Sequence, residues 1–427
     1  MEALASCRGA AGGRGPKLTL GDIFRSAGEA YRATHRLSPE QSKVFKALEV
    51  CRTAALGGRV DECQACGHRQ VMYNSCRNRH CPGCQSLASA RWLAEREEKL
   101  LPTHSFHVVF TLPRELHALV RANASTLYGL LLRSAARTLT TLGADPKWLG
   151  AQLGATAVLH TWTRDLRFHP HAHLIVTGGG LSPDGNRWVS ASPTFLFPVK
   201  VMGSVFRGKF LEGLSQLHQR GDLILPGDWQ APGAFYEYTA AVASKSWVVF
   251  SKRPFAGASQ IYAYLARYTH RVGLSNYRLL DFDGQAVTFK TRGDKVATLP
   301  VNTFISRFLQ HVLPRGFTRL RHYGLLAPAN VGGRLLLARA LLGANEPSAE
   351  SVPHEATGGR DTREPEVLPL DLVCPDSDEA WRTLASALLG LDLRRCPSCG
   401  QRALIALPFD APDRHHTPRG PPARRPP

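Results

Sequence analysis

Residues 63–84 read CQACGHRQVMYNSCRNRHCPGC, which packs five cysteines and two histidines into 22 residues. A stretch this short and polar has no apolar core to fold around, so something must cross-link it. The Cys-x-x-Cys pairs Cys63/Cys66 and Cys81/Cys84, 14 residues apart, have the spacing of two knuckles closing on one tetrahedral Zn²⁺. A bound zinc supplies roughly 10–16 kcal/mol of apparent binding energy, enough to order such a segment. Cys76, His80 and His68 are further candidate ligands, and Cys51 is a candidate for a second site. The alternative is a set of buried or free thiols. A third pair, Cys396/Cys399, has no evident partner: Cys374, His415 and His416 are candidates, and a degenerate knuckle is the competing reading.

Compartment bears on that choice. No run approaches the ~18 apolar residues of a membrane span, and the first residues lack the apolar region of a signal peptide. The expectation is a cytoplasmic protein with no membrane partner, whose ten cysteines stay reduced unless they hold metal.

Fifty-three Lys and Arg against 34 Asp and Glu give a net charge of +19. A surplus of that size points to a polyanion, most often nucleic acid, with an arginine-rich solvated surface as the alternative. Arg77 and Arg79 sit within the cysteine block, where they can hold phosphates on the rim of a zinc module. Arg315, Arg319 and Arg321 cluster in LPRGFTRLRHYG, with Phe317 and Tyr323 placed to stack bases. A zinc module that is only structural, or that contacts protein, is the competing reading.

The segment FHPHAHLIVTGGG (168–180) puts histidines on alternate positions of a β-like run. On a strand His171 and His173 share one face, and Ala172, Leu174 and Val176 the other. Neutral imidazoles so placed can bind a divalent cation, or simply meet solvent. A preceding strand over 154–163 carries His160, which an antiparallel pairing brings beside the other two. His169 reads as a substrate contact, Asp165 as a weaker ligand, and the glycines as a turn that lets DNA approach. Further along, the helix expected over 257–273 places Tyr264 and Tyr268 at i and i+4, on one face, with Arg267 and Arg271 close by and Arg253 upstream. Such a tyrosine pair is more commonly a packing pair. As nucleophiles toward a phosphodiester, tyrosines need a metal to polarise the phosphoryl group.

Strands are also expected at 105–113, 247–253 and around 277–291, and helices at 38–58 (N-cap Ser38, Pro39 at N1), 87–101, 114–142, 302–313 and before the last cysteine pair. Composition and spacing divide the chain into a disordered start (1–20), a zinc-binding domain (21–100) and a larger domain that carries the histidines and the tyrosine pair (101–342). A flexible linker (343–370), a small Cys-x-x-Cys segment (371–408) and a disordered basic tail (409–427) follow.

Taken together, CGHRQVMYNSCRNRHCPGCQ, LHTW…HPHAHLIVTGGGL and YLARYTHRVGLSNYRL resemble the rolling-circle transposases of the two-tyrosine HUH type, the insertion-sequence-91 group of bacterial mobile elements. The resemblance runs in order from about Ile23 to Ala327. It implies an α+β fold, a central antiparallel sheet flanked by helices and preceded by a small zinc-binding domain. It also implies a metal-dependent nick of single-stranded DNA at the element's ends, through a 5′-phosphotyrosine, followed by strand joining. His171 and His173 match the family's His-hydrophobic-His motif for Mg²⁺ or Mn²⁺, with His160 assigned as third ligand by its place on the adjoining strand. Tyr264 and Tyr268 match the paired nucleophiles. The implied setting is the bacterial cytoplasm, at the nucleoid. The competing readings are an inactive or domesticated zinc-dependent DNA-binding protein, and a relaxase or replication initiator.

Overall fold

The computed structural model describes residues 18–84, 100–252, 273–343 and 392–409. Its strands are β1 (Gly58–Cys63), β2 (Arg69–Tyr73), β3 (Ser105–Thr111), β4 (Gln152–Trp162), β5 (Phe168–Leu181), β6 (Trp188–Ser190), β7 (Val249–Lys252), β8 (Leu279–Phe282), β9 (Ala286–Lys290), β10 (Val296–Pro300), β11 (Leu320–Gly324) and β12 (Leu404–Phe409). The helices expected at 87–101 and 257–273, the one before the last cysteine pair, the linker and both end segments lie outside the described residues, apart from a residue or two at their edges.

Alternation along β3, β4 and β5 builds the centre. The strands pair antiparallel in the order β11-β4-β5-β3-β7, with β6 folded back on β5. Leu159, Ala172 and Phe110 lie side by side in register, and with Leu174, Val176, Phe106 and Val108 they form one apolar face. That face packs on the helices Ala124–Ala144 and Val199–Gln219. Because side chains alternate, the opposite face carries His160, His171 and His173. The fold is therefore α+β, with a central antiparallel sheet and flanking helices. The helix expected over 114–142 breaks at Asn123, whose buried amide bonds both the N–H and the C=O of Ile224.

The glycines after the histidines are not a turn. Gly178, Gly179 and Gly180 continue β5, and a Cβ on them would strike His104, Trp188 and the Gln152 carbonyl respectively. Their smallness serves close packing of β5 against β6 and the His104 segment, not room for DNA.

A second core crosses the domain boundary expected near residue 100. The helix Leu20–Thr34, started by a Thr19/Asp22 capping box, presents Ile23, Phe24, Ala27 and Tyr31. Phe24 meets Phe45 of the helix Pro39–Val50 at 4.7 Å and Phe308 of the helix Val301–Leu309 at 5.6 Å. The antiparallel sheet β10-β9-β8 contributes Val287 and Phe289 to the same cluster. The helix predicted over 38–58 starts as expected at Ser38 and Pro39, but stops at Val50. Cys51 is already extended, which turns its thiol toward Cys84.

A third sheet, β12-β1-β2, joins chain segments far apart in sequence. β12 pairs antiparallel with β1 from Gly58↔Phe409 to Cys63↔Leu404. The Cys-x-x-Cys segment expected to stand alone near the C-terminus is therefore part of the cysteine block.

Candidate functional site

His160 and His171 are cross-strand neighbours in the β4–β5 ladder, and His173 follows two residues on, beside Val158. Their ring centroids lie 5.3 Å (His160–His171), 4.2 Å (His160–His173) and 4.9 Å (His171–His173) apart. One nitrogen from each lies within 4.8 Å of the others. A bulge just beyond His160, where Trp162 pairs with Phe168, closes the ladder, and Trp162 stacks on His160 at 4.8 Å.

Burial sets the protonation. It holds His160 well below the ordinary imidazole range, with His173, His171 and Arg319 adding repulsion. His171 is pushed down to about 4 by burial, and His173 falls well below its usual value for the same reason. All three are thus neutral near pH 7, the form that ligates metal. His171 Nδ1 donates to the His169 carbonyl at 2.6 Å, which fixes Nε2 as its ligating nitrogen.

His107 on β3 extends the cluster. Its Nε2 lies 2.8 Å from His173 Nδ1, and the rings stack at 5.1 Å. The sequence reading omitted His107, although the expected strand over 105–113 already held the signal. Arg319 spreads its guanidinium over Trp162 at 4.8 Å, and burial beside Arg79 brings its pKa down to about 9. His169 contributes its carbonyl rather than its ring. Asp165 is tied to Thr163 and to Arg167, outside the cluster.

Tyr264 and Tyr268, with Arg253, Arg267 and Arg271, lie outside the described residues. The residues on either side of that segment do not. Lys252 pairs with His107 across β7 and β3, and Gly273 abuts the Trp162 ring.

The eight described thiols form two clusters, partitioned otherwise than the spacing suggests. Cys51, Cys76, Cys81 and Cys84 converge in one, and Cys63, Cys66, Cys396 and Cys399 in the other. Cys63/Cys66 and Cys81/Cys84 therefore do not share a site. The reason is β1–β2, which carries the first knuckle away from the second and toward β12. His68 and His80 join neither cluster. His80 is buried, turns Nδ1 to Asn78 within the block and accepts from the Leu313 N–H at 3.2 Å through Nε2, so one nitrogen braces the block and the other ties it to the 313 segment.

Among the arginines read as phosphate contacts, Arg79 donates to the carbonyls of Phe317 and Pro314, at 2.8 and 3.2 Å. Phe317 is buried against Tyr128 and unavailable for base stacking. Arg321 lies over Phe317 at 5.2 Å, and Tyr323 packs on the same core. Arg77 and Arg315 are exposed.

Residues 154–332 match a family model described as a putative transposase, and residues 23–112 match one described as a transposase zinc-binding domain of the IS91 type. A putative transposase, y4qJ, of Sinorhizobium fredii is 45% identical over 403 residues, covering 92% of this chain and 95% of that protein. The chain belongs to the IS91-type transposases. Another member, the transposase for insertion sequence element IS801 of Pseudomonas savastanoi pv. phaseolicola, is 26% identical over 384 residues, covering 85% of this chain and 82% of its own length. A solved conjugative relaxase in complex with oriT DNA aligns at a TM-score of 0.24 and 15% identity, covering 59% of this chain and 94% of that one, a score too low to bear on the site. The putative-transposase match in this IS91-type chain contains His160, His171 and His173, and the zinc-binding match contains Cys51, Cys63, Cys66, Cys76, Cys81 and Cys84. No helix among the described residues is long and apolar enough to cross a membrane.

Proposed function

We propose that this transposase nicks single-stranded DNA at transposon ends through a 5′-phosphotyrosine and then joins strands in rolling-circle transposition. The observation that carries the reading is the convergence of His160, His171 and His173, held neutral, on one face of the central sheet. Three imidazoles, His160 buried and His171 and His173 half-buried, beside a guanidinium fit a divalent cation. Nitrogen donors favour Mn²⁺ over the oxygen-seeking Mg²⁺. When bound, the ion polarises the scissile phosphoryl oxygen and offsets its charge.

The nucleophiles are Tyr264 and Tyr268. Both ends of their segment sit at the histidine face, Lys252 beside His107 and Gly273 on Trp162. A tyrosine oxygen attacks phosphorus as its phenol gives up a proton, the bond from phosphorus to the 3′ oxygen breaks, and that oxygen takes up a proton and leaves as the 3′-hydroxyl, with no net change in protons. The phosphotyrosine keeps the phosphodiester bond energy, so rejoining needs no ATP. Arg319, whose guanidinium covers Trp162 next to the histidines, is assigned to oppose the phosphate's negative charge, and the exposed Arg77 and Arg315 to the surface that receives DNA. The Cys51/Cys76/Cys81/Cys84 cluster holds the zinc of the zinc-binding domain.

Purified protein with Mn²⁺ should nick a single-stranded oligonucleotide carrying the element's terminus and leave a covalent adduct. Tyr264→Phe/Tyr268→Phe should abolish the adduct and keep DNA binding. An adduct formed by the double variant removes the tyrosine assignment, and undiminished nicking by His171→Ala removes the metal role.

A further inference from the structure

The two knuckles of the second thiol cluster have the same construction. Cys63-Gln-Ala-Cys66-Gly67 and Cys396-Pro-Ser-Cys399-Gly400 each end in a left-handed glycine, at φ 70° and 74°. In each, the glycine N–H returns to the first cysteine's carbonyl, at 2.8 Å from Gly67 to Cys63 and 2.9 Å from Gly400 to Cys396. The first cysteine's N–H in turn donates to the residue after the glycine, at 2.9 Å to His68 and 2.8 Å to Gln401. The sulfurs of Cys63 and Cys399, and of Cys66 and Cys396, stand 3.7 Å apart. A disulfide needs about 2.05 Å, whereas four sulfurs at about 2.3 Å from one tetrahedral zinc stand about 3.8 Å from each other. The sheet around them has little to hold it otherwise: four of the five β2 residues are exposed and Val71 keeps 46% of its surface in solvent. The segments it joins are 330 residues apart in sequence.

We propose that Cys63, Cys66, Cys396 and Cys399 bind a second Zn²⁺, which fastens the C-terminal Cys-x-x-Cys segment to the N-terminal cysteine block as the third strand of one ribbon. Only half of the ligands fall inside the matched zinc-binding domain, which ends at residue 112. The other half comes from beyond residue 390, outside either matched region. The ribbon is thus completed only by the far end of the chain, and its assembly reports that this end is in place. This assignment stands or falls independently of the nicking chemistry.

The test is metal content of the full chain, purified under reducing conditions and measured by elemental mass spectrometry. After the histidine site is exchanged with excess Mn²⁺ and the protein desalted, wild type should carry two zinc ions. Cys396→Ser/Cys399→Ser, Cys63→Ser/Cys66→Ser and the variant with all four changes should each carry one, because the two pairs share a single ion. Cys399→His, which keeps a ligand, should restore two. With Co²⁺ in place of zinc, the visible absorption of tetrahedral thiolate sites should halve in each Ser variant. One zinc in wild type, or two in Cys396→Ser/Cys399→Ser, overturns the proposal. So does a four-fold variant that loses both ions while each double variant loses one.

Discussion

The Nε2 of His107 lies 2.8 Å from the Nδ1 of His173, so one histidine stands directly behind another in the candidate metal cluster. A proton on His173 Nδ1, donated to His107 Nε2, leaves His173 Nε2 as the ligating nitrogen. His107 is then a positioning residue. Outer partners of metal-bound histidines typically govern about 10–100-fold in metal affinity or activity. His107→Ala should therefore raise the Mn²⁺ concentration for half-maximal nicking by about that factor, with a smaller effect on the rate at saturating metal. His107→Gln, whose amide oxygen can accept from His173, should recover part of the loss. An unchanged metal requirement in His107→Ala would remove this role.

Gly273 touches the Trp162 ring, which stacks on His160. Trp162 is 7% exposed and also lies under Arg319, so it has little room to yield to a new methyl group. Overpacking of this kind costs about 1–3 kcal/mol when the neighbours must move. Gly273→Ala should slow nicking at least tenfold, because the strain falls between His160 and the end of the tyrosine segment. The comparison is the single-turnover rate at equal folded fraction, monitored by thermal melting. A variant that loses stability and keeps the wild-type rate would place Gly273 outside the active site.

The central sheet was readable because alternation is a local signal: β3, β4 and β5 fall close to where period two places them, and the pairing of His160 with His171 follows from a short loop. What failed was non-local. Residues 320–324, LRHYG, read as a basic patch and become β11 only by pairing with β4. The helix Leu20–Thr34 finds part of its cover far along the chain, where its first N–H bonds Asn276, 256 residues away. Each Cys-x-x-Cys pair announces a knuckle, but which pairs share a site depends on where β1 and β12 meet. Arg79 and Phe317 have the composition of a nucleic-acid surface and instead hold each other's segments together.

His311 gives a pH dependence with a definite sign. It is 1% exposed, donates from Nε2 to the Leu166 carbonyl at 3.0 Å and accepts from the Thr161 hydroxyl at 3.1 Å. Burial pushes its pKa from 6.5 down to about 3. The unfolded chain thus takes up a proton before the fold does. The contribution is fully present above about pH 6.5 and is lost as pH falls toward 3, by about 1.4 kcal/mol per unit. His311→Gln removes this titration. Between pH 7 and pH 5 its stability in urea should fall by about 2 kcal/mol less than that of wild type. Equal pH dependence in the two proteins would mean that His311 is charged in the fold.

Arg77 and Arg79 allow DNA contact to be tested against structural support within one turn of chain. Arg77 is exposed, at φ 52°, on the rim of the Cys76/Cys81/Cys84 block, whereas both amino groups of the Arg79 guanidinium donate to carbonyls of Pro314 and Phe317. Each phosphate contact on a single strand releases about 0.7 counterion. Arg77→Ala should therefore lower the slope of log K against log salt by about 0.7, measured by fluorescence anisotropy with single-stranded DNA, and leave the melting temperature nearly unchanged. Arg79→Ala should do the reverse. Losing two hydrogen bonds from a charged donor costs about 1.5–3 kcal/mol each at most, and the slope should stay at its wild-type value. A reduced slope in Arg79→Ala would show that the guanidinium leaves those carbonyls for phosphate when DNA binds. An unchanged slope in Arg77→Ala would take the rim of the cysteine block out of the DNA surface.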